Sequence, residues 1–570
     1  MTHTTGTGGQ TTTNNTNHGA FENMASLTNV TFASNNVTRI GAQAFKGCSN
    51  LATISLPSSV SYIGNSAFEA CSKLNAINLQ NVSYIGNSAF KNAFKDIPTS
   101  SVELNVDKAN YVGANAFEST SGLKTINFNN NTVLQTVADS AFLNSGITSL
   151  DLSQATKLLT IGNSAFQGCS SLTEVKVPKS LTSFGNNVFG NPSPQSSESN
   201  GYCTSLTTID LSATQVTQLP NSLFQGCSSL SNVKLPAGLT AINQSAFQDA
   251  TSLKTIEIPS GLTTINGSAF AGSGITSLDL SQTAITQIDN AVFQNTASLT
   301  NVKLPTRITS IGTRAFFNSG ITSLDLSTTA LTTIGQGAFA NTASLTSLTV
   351  PKTLNNLASA DNSGNDVNAT FSGSGLTSLD LSQTQIPTIN ASTFNGATKL
   401  ETVKLPSTVT RINDNAFKGT TALKNLTQEK PAASETPAPG SRATGTNQLA
   451  SSLTNIGNYA FQGTGLESID LSETKIIGYD ISSLGSLGNS AFQDAASLSD
   501  VKLPNGLKAI PAASFAGTVK LTSIAIPSSV NRINAGNSTF KGAFQGSGLT
   551  SIDLSGTGIT GNQANDQDGS

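Results

Sequence analysis

Very few side chains in this sequence could combine to carry out acid–base, nucleophilic or metal chemistry. Among 570 residues there are only two histidines, His3 and His18, and both lie close to the start of the chain. No residue after position 18 can serve as a histidine base or ligand, which excludes Ser-His-Asp and Cys-His catalysis and most zinc sites there. We expect no enzymatic activity, no cofactor, and no catalytic or metal-binding residues.

Two other patterns resemble enzyme motifs without the context that the chemistry needs. Residues 556–561 match G-x-G-x-x-G, yet a dinucleotide site also needs a following helix and an acidic residue about 20 positions later. Glu257 and Asp279 could form the carboxylate pair of a glycoside hydrolase. On an open face nothing would raise the pKa of either carboxyl, so a hydrolase is the least favoured hypothesis.

The cysteines occupy one recurring position, which indicates packing rather than reactivity. There are five: Cys48, Cys71, Cys169, Cys203 and Cys227. Four of them lie three residues after a phenylalanine, where other copies of the same segment have a small residue such as Ala250 or Thr296. We therefore expect buried thiols. The alternative is a disulfide between neighbouring copies, Cys48 with Cys71 or Cys203 with Cys227.

The elements that position these side chains are internal repeats, and a phenylalanine marks each copy. The markers are Phe21, Phe45, Phe68, Phe90, Phe117, Phe142, Phe166, Phe189, Phe224, Phe247, Phe270, Phe293, Phe316, Phe339, Phe371, Phe394, Phe417, Phe461, Phe492, Phe515 and Phe544. Ten of the twenty spacings between them are 23 residues. A fixed period of this length is typical of a solenoid rather than of several independent domains.

One unit, from Phe293 to Phe316, shows the expected course of the chain. Leu299, Val302 and Leu304 follow L-x-x-L-x-L, the strand pattern of a leucine-rich repeat. Alternation turns the apolar side chains of the strand inward. The segment before the next phenylalanine is too short for a stable helix, so we expect a single helical or 3₁₀ turn there.

Two kinds of unit alternate along the chain, and they differ in the charged residue of the strand. The Lys units carry Lys176, Lys234, Lys303, Lys404 and Lys502, each followed two residues later by proline. The Asp units carry the sequence Asp-Leu-Ser at Asp151, Asp279, Asp325, Asp380, Asp470 and Asp553, and Asp210 belongs to a hybrid unit. Counted from the marker phenylalanine, the aspartate comes one residue earlier than the lysine does. The shortened segment before the aspartate contains a glycine, such as Gly274 or Gly320.

The phrases IGNSAFQGCSSLTEVKVPKSLTSFGNNVF (161–189) and INQSAFQDATSLKTIEIPSGLTTINGSAF (242–270) resemble BspA-like leucine-rich repeats. This resemblance implies an α/β-type, mostly β solenoid, a curved right-handed coil of about 21 units of about 23 residues. A parallel β-sheet would line its concave face and short helical or 3₁₀ turns its convex face. The resemblance also implies a surface protein that binds host proteins or other cells.

The predicted organisation is one solenoid with an interruption and two tails. It comprises a disordered Thr/Asn/Gly-rich tail (1–19), a first solenoid block (20–426), a Pro/Ala/Thr-rich loop (427–450), a second block (451–560) and a short tail (561–570). Shorter insertions are expected at 190–201, 355–369 and 475–486. A hinge at 427–450 between two solenoid blocks is the alternative to a loop.

A row of outward-facing strand residues is the candidate binding face. It contains Asp210, Lys234, Glu257, Asp279, Lys303, Asp325, Asp380 and Lys404. With strands about 4.8 Å apart, acids and bases would alternate at ion-pairing distance. The row is either a charged binding stripe or a ladder that neutralises itself. Earlier units have Asn78, Asn105 and Asn127 in this row, an amide surface suited to hydrogen bonding.

The marker phenylalanines are expected to form a structural spine rather than a ligand cage. Phe224, Phe247, Phe270, Phe293, Phe316 and Phe339 follow one another at an unbroken spacing of 23 residues. Rings at the same position of stacked units would fill the convex side of the core.

The sequence therefore predicts a non-enzymatic cell-surface protein that adheres to host or neighbouring-cell proteins or glycans. Only 11% of the residues are charged and the net charge is -3, so a nucleic-acid partner, which needs a basic surface, is not expected. There is no transmembrane segment in the sequence, and we expect a monomer. No signal peptide or anchor is visible, and the alternative is a cytoplasmic protein-interaction scaffold of the same fold.

Overall fold

The computed structural model describes residues 18–97, 101–191, 201–358, 369–429, 447–478, 486–536 and 539–559. Most of the predicted tails (1–19 and 561–570), most of the 427–450 loop, and the central parts of the three shorter insertions lie outside these residues. The chain divides into two compact units. The first is Met1–Ile209 with Ala213–Gln215, and the second is Asp210–Ser212 with Val216–Ser570.

The described secondary structure consists of short β-strands. In the first unit these are β1 (Asn29–Val30), β2 (Arg39–Ile40), β3 (Thr53–Ile54), β4 (Tyr62–Ile63), β5 (Ala76–Ile77), β6 (Tyr84–Ile85), β7 (Val102–Asn105), β8 (Tyr111–Val112), β9 (Leu123–Asn127), β10 (Thr136–Val137), β11 (Ser149–Asp151), β12 (Thr160–Ile161), β13 (Glu174–Lys176), β14 (Ser183–Phe184) and β15 (Thr208–Asp210), whose last residue belongs to the second unit.

The second unit repeats the same short strands. They are β16 (Gln218–Leu219), β17 (Asn232–Lys234), β18 (Ala241–Ile242), β19 (Thr264–Ile265), β20 (Ser277–Asp279), β21 (Gln287–Ile288), β22 (Asn301–Lys303), β23 (Ser310–Ile311), β24 (Ser323–Asp325), β25 (Thr333–Ile334), β26 (Ser347–Thr349), β27 (Asn356–Leu357), β28 (Ser378–Asp380), β29 (Thr388–Ile389), β30 (Thr402–Leu405), β31 (Arg411–Ile412), β32 (Asn425–Gln428), β33 (Asn455–Ile456), β34 (Ser468–Asp470), β35 (Asp500–Lys502), β36 (Ala509–Ile510) and β37 (Arg532–Ile533).

Two rows of strands run along each unit. The first row contains the strand that follows each phenylalanine turn and carries the Asp or Lys. The second row contains the two-residue strand that precedes the next phenylalanine. In the first unit the second row is one parallel sheet from β2 to β14, and the first row forms the sheets β1-β3-β5 and β7-β9-β11-β13-β15. In the second unit the first row is divided into shorter parallel sheets, β20-β22, β24-β26, β28-β30-β32 and β34-β35.

The prediction of a mostly β leucine-rich-repeat solenoid is confirmed, with two differences. The repeat pattern predicted one parallel sheet, whereas the second row is a further set of parallel strands. The expected helical or 3₁₀ turn is wrong for the described residues, because the phenylalanine segment forms separate turns. Ala67 N–H donates to the Gly64 carbonyl within its own coil, whereas Phe68 N–H donates to Ala89 in the next coil. Alternate amides therefore bond outside the segment, which prevents a continuous helix.

Each coil closes around a core of aliphatic side chains. In the unit from Phe293 to Phe316, Leu299 and Ile308 are fully buried, and Val302 and Ile311 are buried as well. Leu304, which was also predicted to face inward, is only partly buried. Apolar burial of this kind contributes about 25 cal/mol per Å². Because every coil contributes the same positions, the core is continuous along each unit.

The marker phenylalanine rings stack on one another in the interior of the coils. Phe224, Phe247 and Phe270 lie 5.4 Å apart between successive ring centroids, with interplanar angles of 18° and 10°. Phe293 and Phe316 continue the stack at 5.2 Å, and Phe316 lies 5.5 Å from Phe339. All six predicted spine residues are fully buried. The buried rings thus maintain the spacing between neighbouring coils.

Candidate binding surface on the first row of strands

Aspartate and lysine side chains form ion pairs at the ends of neighbouring first-row strands. Nζ of the lysine lies 3.0 Å from the carboxylate in the pairs Lys234–Asp210 and Lys404–Asp380, and 3.4 Å in Lys303–Asp279. In the first unit Lys176 and Asp151 are 3.5 Å apart. All these side chains are more than half exposed, so each pair contributes only about 0.2–1 kcal/mol.

Backbone hydrogen bonds set the register of each pair. The leucine after the aspartate donates its N–H to the carbonyl of the paired lysine, as Leu280 does to Lys303 at 2.8 Å and Leu381 to Lys404 at 2.8 Å. Asp279 and Lys303 are therefore direct partners in the ladder between β20 and β22. The strand pairing by itself therefore places the lysine side chain beside the carboxylate.

The aspartate has a second role, which the sequence analysis missed. Oδ1 of Asp279 accepts a hydrogen bond from Ser281 N–H at 2.9 Å, and Asp380 accepts one from Ser382 N–H at 2.9 Å. This is an Asx turn, in which the side chain caps the backbone two residues later. The signal was present in the recurring Asp-Leu-Ser. The aspartate therefore ends the strand as well as carrying its charge.

The same hydrogen bonds control the ionisation of the aspartates. Hydrogen bonds from the side chain and the backbone of Ser212 lower the pKa of Asp210 to about 2, with a further contribution from Lys234. The Ser281 hydrogen bonds likewise lower the pKa of Asp279, and Lys303 adds to them. Asp325 has its pKa lowered mainly by the hydroxyl of Thr349, which occupies the position of the lysine. These carboxylates are ionised at neutral pH.

The charges pair two by two instead of forming a continuous alternating ladder. Among the described residues no salt bridge joins Lys303 to Asp325, the next acid in the row. Within a pair the aspartate and lysine are direct ladder partners, as Asp279 and Lys303 are, whereas the ladder between β13 and β15 ends before Lys176 and Asp210. The row therefore consists of separate neutral Asp–Lys pairs, together with Asp325, which is bonded to Thr349 instead of a lysine, and Glu257, which forms no salt bridge with the described residues.

Glu257 lies where the first row is interrupted. The structure has no strand at residues 255–258, so the prediction that Glu257 stands within the sheet is wrong. The segment and β17 line a cleft of about 730 Å³ that also includes Lys234 and the partly buried Ile256 and Ile258. Glu257 is exposed, and no described lysine or arginine pairs with it.

Asp279 does not fit the role of general acid in a glycoside hydrolase pair. A glycosidase acid needs a raised pKa, whereas the pKa of Asp279 is lowered. Asp279 is also paired with Lys303. The described residues contain no group of three His, Cys, Asp or Glu side chains that could hold a metal ion.

The amide row of the first unit is largely engaged in bonds between coils. Asn78 accepts from Leu56 N–H at 2.7 Å and donates to the Leu56 carbonyl at 2.9 Å. Asn127 donates to Asn105 at 2.9 Å and to Glu103 at 2.7 Å. Less hydrogen-bonding capacity is left for a ligand than the sequence analysis expected.

Comparison with protein families identifies the repeat. The profile described as "BspA type Leucine rich repeat region" matches in six copies, at residues 10–95, 91–198, 196–292, 268–360, 361–436 and 444–544. The chain belongs to the BspA-type leucine-rich-repeat family. No curated protein shows significant sequence similarity to it.

Solved structures similar to this BspA-type chain are distant in sequence. A leucine-rich repeat protein from Bacteroides ovatus is 19% identical, with a TM-score of 0.36 over 88% of this chain and 87% of that one. A leucine rich cell surface protein from Faecalibacterium prausnitzii is 20% identical, with a TM-score of 0.28 over 85% and 84%. The pneumococcal vaccine antigen PcpA is 21% identical, with a TM-score of 0.32 over 57% and 80%.

The five cysteines of this BspA-type chain are buried thiols without disulfide bonds. The thiol of Cys71 donates to the carbonyl of Phe45 in the preceding coil at 3.1 Å, and Cys169 does the same to Phe142. Burial raises the pKa of both thiols to about 12. Neither of the two possible disulfides, Cys48–Cys71 or Cys203–Cys227, is present in the structure.

A column of stacked tyrosines, which was not predicted from the sequence, lies on the second row of the first unit. Tyr62, Tyr84 and Tyr111 are the first residues of β4, β6 and β8, and all three are partly exposed. The recurring Tyr-Ile-Gly and Tyr-Val-Gly before the phenylalanine motif was the available signal.

Nowhere in the described ranges does the chain form a helix with the length and apolar character that crossing a bilayer requires.

Proposed function

We propose that this chain is a non-enzymatic cell-surface or secreted protein that binds a macromolecular partner through the first row of strands. The partner is a protein or a glycan on a host or neighbouring cell. The observation that carries the proposal is the series of exposed, self-paired Asp and Lys side chains held in register by backbone ladders. Membership of the BspA-type repeat family supports a binding role.

The charge arrangement favours a particular kind of contact. Because each lysine already has a carboxylate partner, the row has little net charge and gives little attraction to a polyanion. A protein surface that carries both acidic and basic groups fits such a row. Exposed charges at the rim of an interface contribute more to specificity than to affinity.

The cleft at Glu257 is the proposed anchor point within the second unit. Glu257 has no described cationic partner, and Ile256 and Ile258 beside it are only partly buried. A lysine or arginine side chain of the partner would lay its aliphatic stem along the isoleucines and bring its charge to the carboxylate. The neighbouring Lys234 is neutralised by Asp210 at 3.0 Å, so it does not repel such a group.

The experiment is a binding array of extracellular-matrix proteins, cell-surface glycans and whole cells, probed with the full chain and two variants. Glu257→Gln removes one negative charge in the cleft. Gln294→Lys makes the same change in net charge on the phenylalanine-turn side and serves as the control. We expect affinity for the partner to fall by about tenfold with Glu257→Gln, equivalent to about 1.4 kcal/mol, and to be unchanged with Gln294→Lys.

Location is tested separately by protease shaving of intact cells. Release of peptides of this chain from the surface or their presence in the medium supports the proposal. Detection only after cell lysis would contradict it and favour the cytoplasmic scaffold. The reduced cysteines are compatible with a scaffold, but burial protects these thiols from oxidation in either compartment.

A further inference from the structure

Three tyrosine rings in the first unit form a stacked column on the second row of strands. The Tyr62 and Tyr84 ring centroids are 4.6 Å apart with an interplanar angle of 3°, and those of Tyr84 and Tyr111 are 4.7 Å apart at 5°. The stack follows from strand register, because Tyr62 is paired with Tyr84 and Tyr84 with Tyr111 in a parallel sheet. Phenols at equivalent ring positions therefore face one another across consecutive coils.

The stacking determines what this column can do. The outer face of Tyr62 is covered by the Arg39 guanidinium, 3.8 Å from the ring centroid, and both faces of Tyr84 are covered by its neighbours. The faces of these two rings are thus closed to a sugar, which would need to stack on them. All three tyrosines are partly exposed to solvent, so small reagents reach the column.

Few other side chains compete with these phenols for a one-electron oxidant. The sequence has no tryptophan, two methionines and six tyrosines. All five cysteine thiols are buried, and burial raises the pKa of Cys71 and Cys169 to about 12, which removes the reactive thiolate. An oxidant at the surface of this unit therefore meets a row of closely spaced phenols.

We propose that Tyr84 forms an intramolecular dityrosine link with Tyr62 or Tyr111 when the protein is exposed to peroxide and a haem peroxidase. Each of the two phenols loses one electron and its phenolic proton, and the two radicals join through the ring carbons ortho to the oxygens. The two hydrogens on those carbons move to the oxygens and restore the aromatic rings. Hydrogen peroxide accepts the two electrons and two protons and is reduced to two molecules of water.

The link would connect two consecutive coils covalently. The strand pairing already places the rings side by side, so coupling within one molecule requires only local ring rotation. A cross-link between coils restricts the unfolded chain and stabilises the folded one. The first unit would thus become more resistant to unfolding in an oxidising environment.

The test treats the full chain with hydrogen peroxide and a haem peroxidase and isolates the monomer. We expect dityrosine fluorescence, a mass lower by two hydrogen atoms, and linked peptides that contain Tyr84. Tyr84→Phe preserves the ring stack but removes the shared phenol, and its monomer should show only the fluorescence of the peroxide-free sample. Tyr459→Phe is the control, because the ring contact of Tyr459 is with Phe540 at 6.3 Å, and it should behave as the unmodified chain does.

Two results would overturn the proposal. One is full dityrosine fluorescence in the Tyr84→Phe monomer, which would place the coupling elsewhere. The other is dityrosine only in covalent dimers, which would mean that the column couples between molecules rather than within one. Circular dichroism of each variant before oxidation verifies that the fold is intact.

Discussion

Nζ of Lys502 lies 3.1 Å from Oδ2 of Asp470, and the side chain of this aspartate is only 8% exposed. The equivalent pair Lys404–Asp380 has almost the same distance, 3.0 Å, but its aspartate side chain is 53% exposed. Both pairs join the ends of adjacent first-row strands. The two pairs thus differ chiefly in how well water could solvate the aspartate carboxylate if the lysine were removed.

Removing the two lysines should therefore have unequal effects. Lys502→Met leaves the buried Asp470 carboxylate with only its Ser472 hydrogen bonds, and we expect a loss of about 1–3 kcal/mol in the free energy of unfolding. Lys404→Met should cost less than about 1 kcal/mol. Urea unfolding of both variants measures the difference, and equal losses would contradict this account.

The Asx-turn aspartates predict a loss of stability in acid. The pKa of Asp210 is about 2 in the folded chain, below the value of about 3.9 for an unfolded aspartate. Its stabilising contribution is therefore complete above pH of about 4 and is lost as the pH falls toward about 2. Unfolding followed from neutral pH to acid should show this decline. Asp210→Asn, which keeps an oxygen for the turn, should show a smaller decline, and a profile identical to that of the unmodified chain would refute the assignment.

Two adjacent phenylalanines offer a direct test of the spine. Phe316 is fully buried between Phe293 and Phe339, whereas Phe317 is partly exposed. We expect Phe316→Ala to cost about 3–5 kcal/mol and Phe317→Ala less than about 1 kcal/mol. Chemical unfolding measures both, and hydrogen exchange should show the damage spreading to neighbouring coils. A large effect of Phe317→Ala would disprove the distinction.

The glycine that shortens each Asp unit should not tolerate a side chain. A Cβ at Gly320 would lie 2.2 Å from the carbonyl oxygen of Ala297 in the preceding coil, and Gly320 N–H donates to the adjacent Thr296 carbonyl. Gly320→Ala should therefore destabilise the chain by more than about 1 kcal/mol. Gly238→Ala is the control, since nothing lies within 4 Å of its Cβ. Similar melting temperatures for both variants would be incompatible with this close approach.

The thiols should be inert in the native protein. Burial raises the pKa of Cys71 and Cys169 to about 12, so a thiol reagent at slightly alkaline pH finds almost no thiolate. We expect no labelling in buffer and five labels per chain in denaturant, in agreement with five cysteines that form no disulfide. Fewer than five labels under denaturing conditions without reductant would reveal a disulfide.

Much of the architecture follows from the period of the sequence. The recurrence of Phe and the L-x-x-L-x-L pattern identified the repeat, because these residues belong to the interior of every coil and the pattern is local to each. The Asp and Lys units were likewise visible, and the ion pairs between Asp279 and Lys303 or Asp380 and Lys404 agree with the expected strand separation.

Other features depended on how one coil bonds to the next. The turn at Phe68 is not helical because its amide bonds to Ala89 in the following coil, and no local pattern indicates that partner. Each lysine pairs with the preceding aspartate because the two are direct partners in the strand ladder, as Asp279 and Lys303 are. The interrupted strand at Glu257 and the stacked rings of Tyr62 and Tyr84 also depend on the contacts between neighbouring coils. The sequence by itself determined the residues that line each coil, since burial is encoded within the repeat. Only the tertiary structure decided which polar groups meet across coils, because backbone register between coils controls those distances.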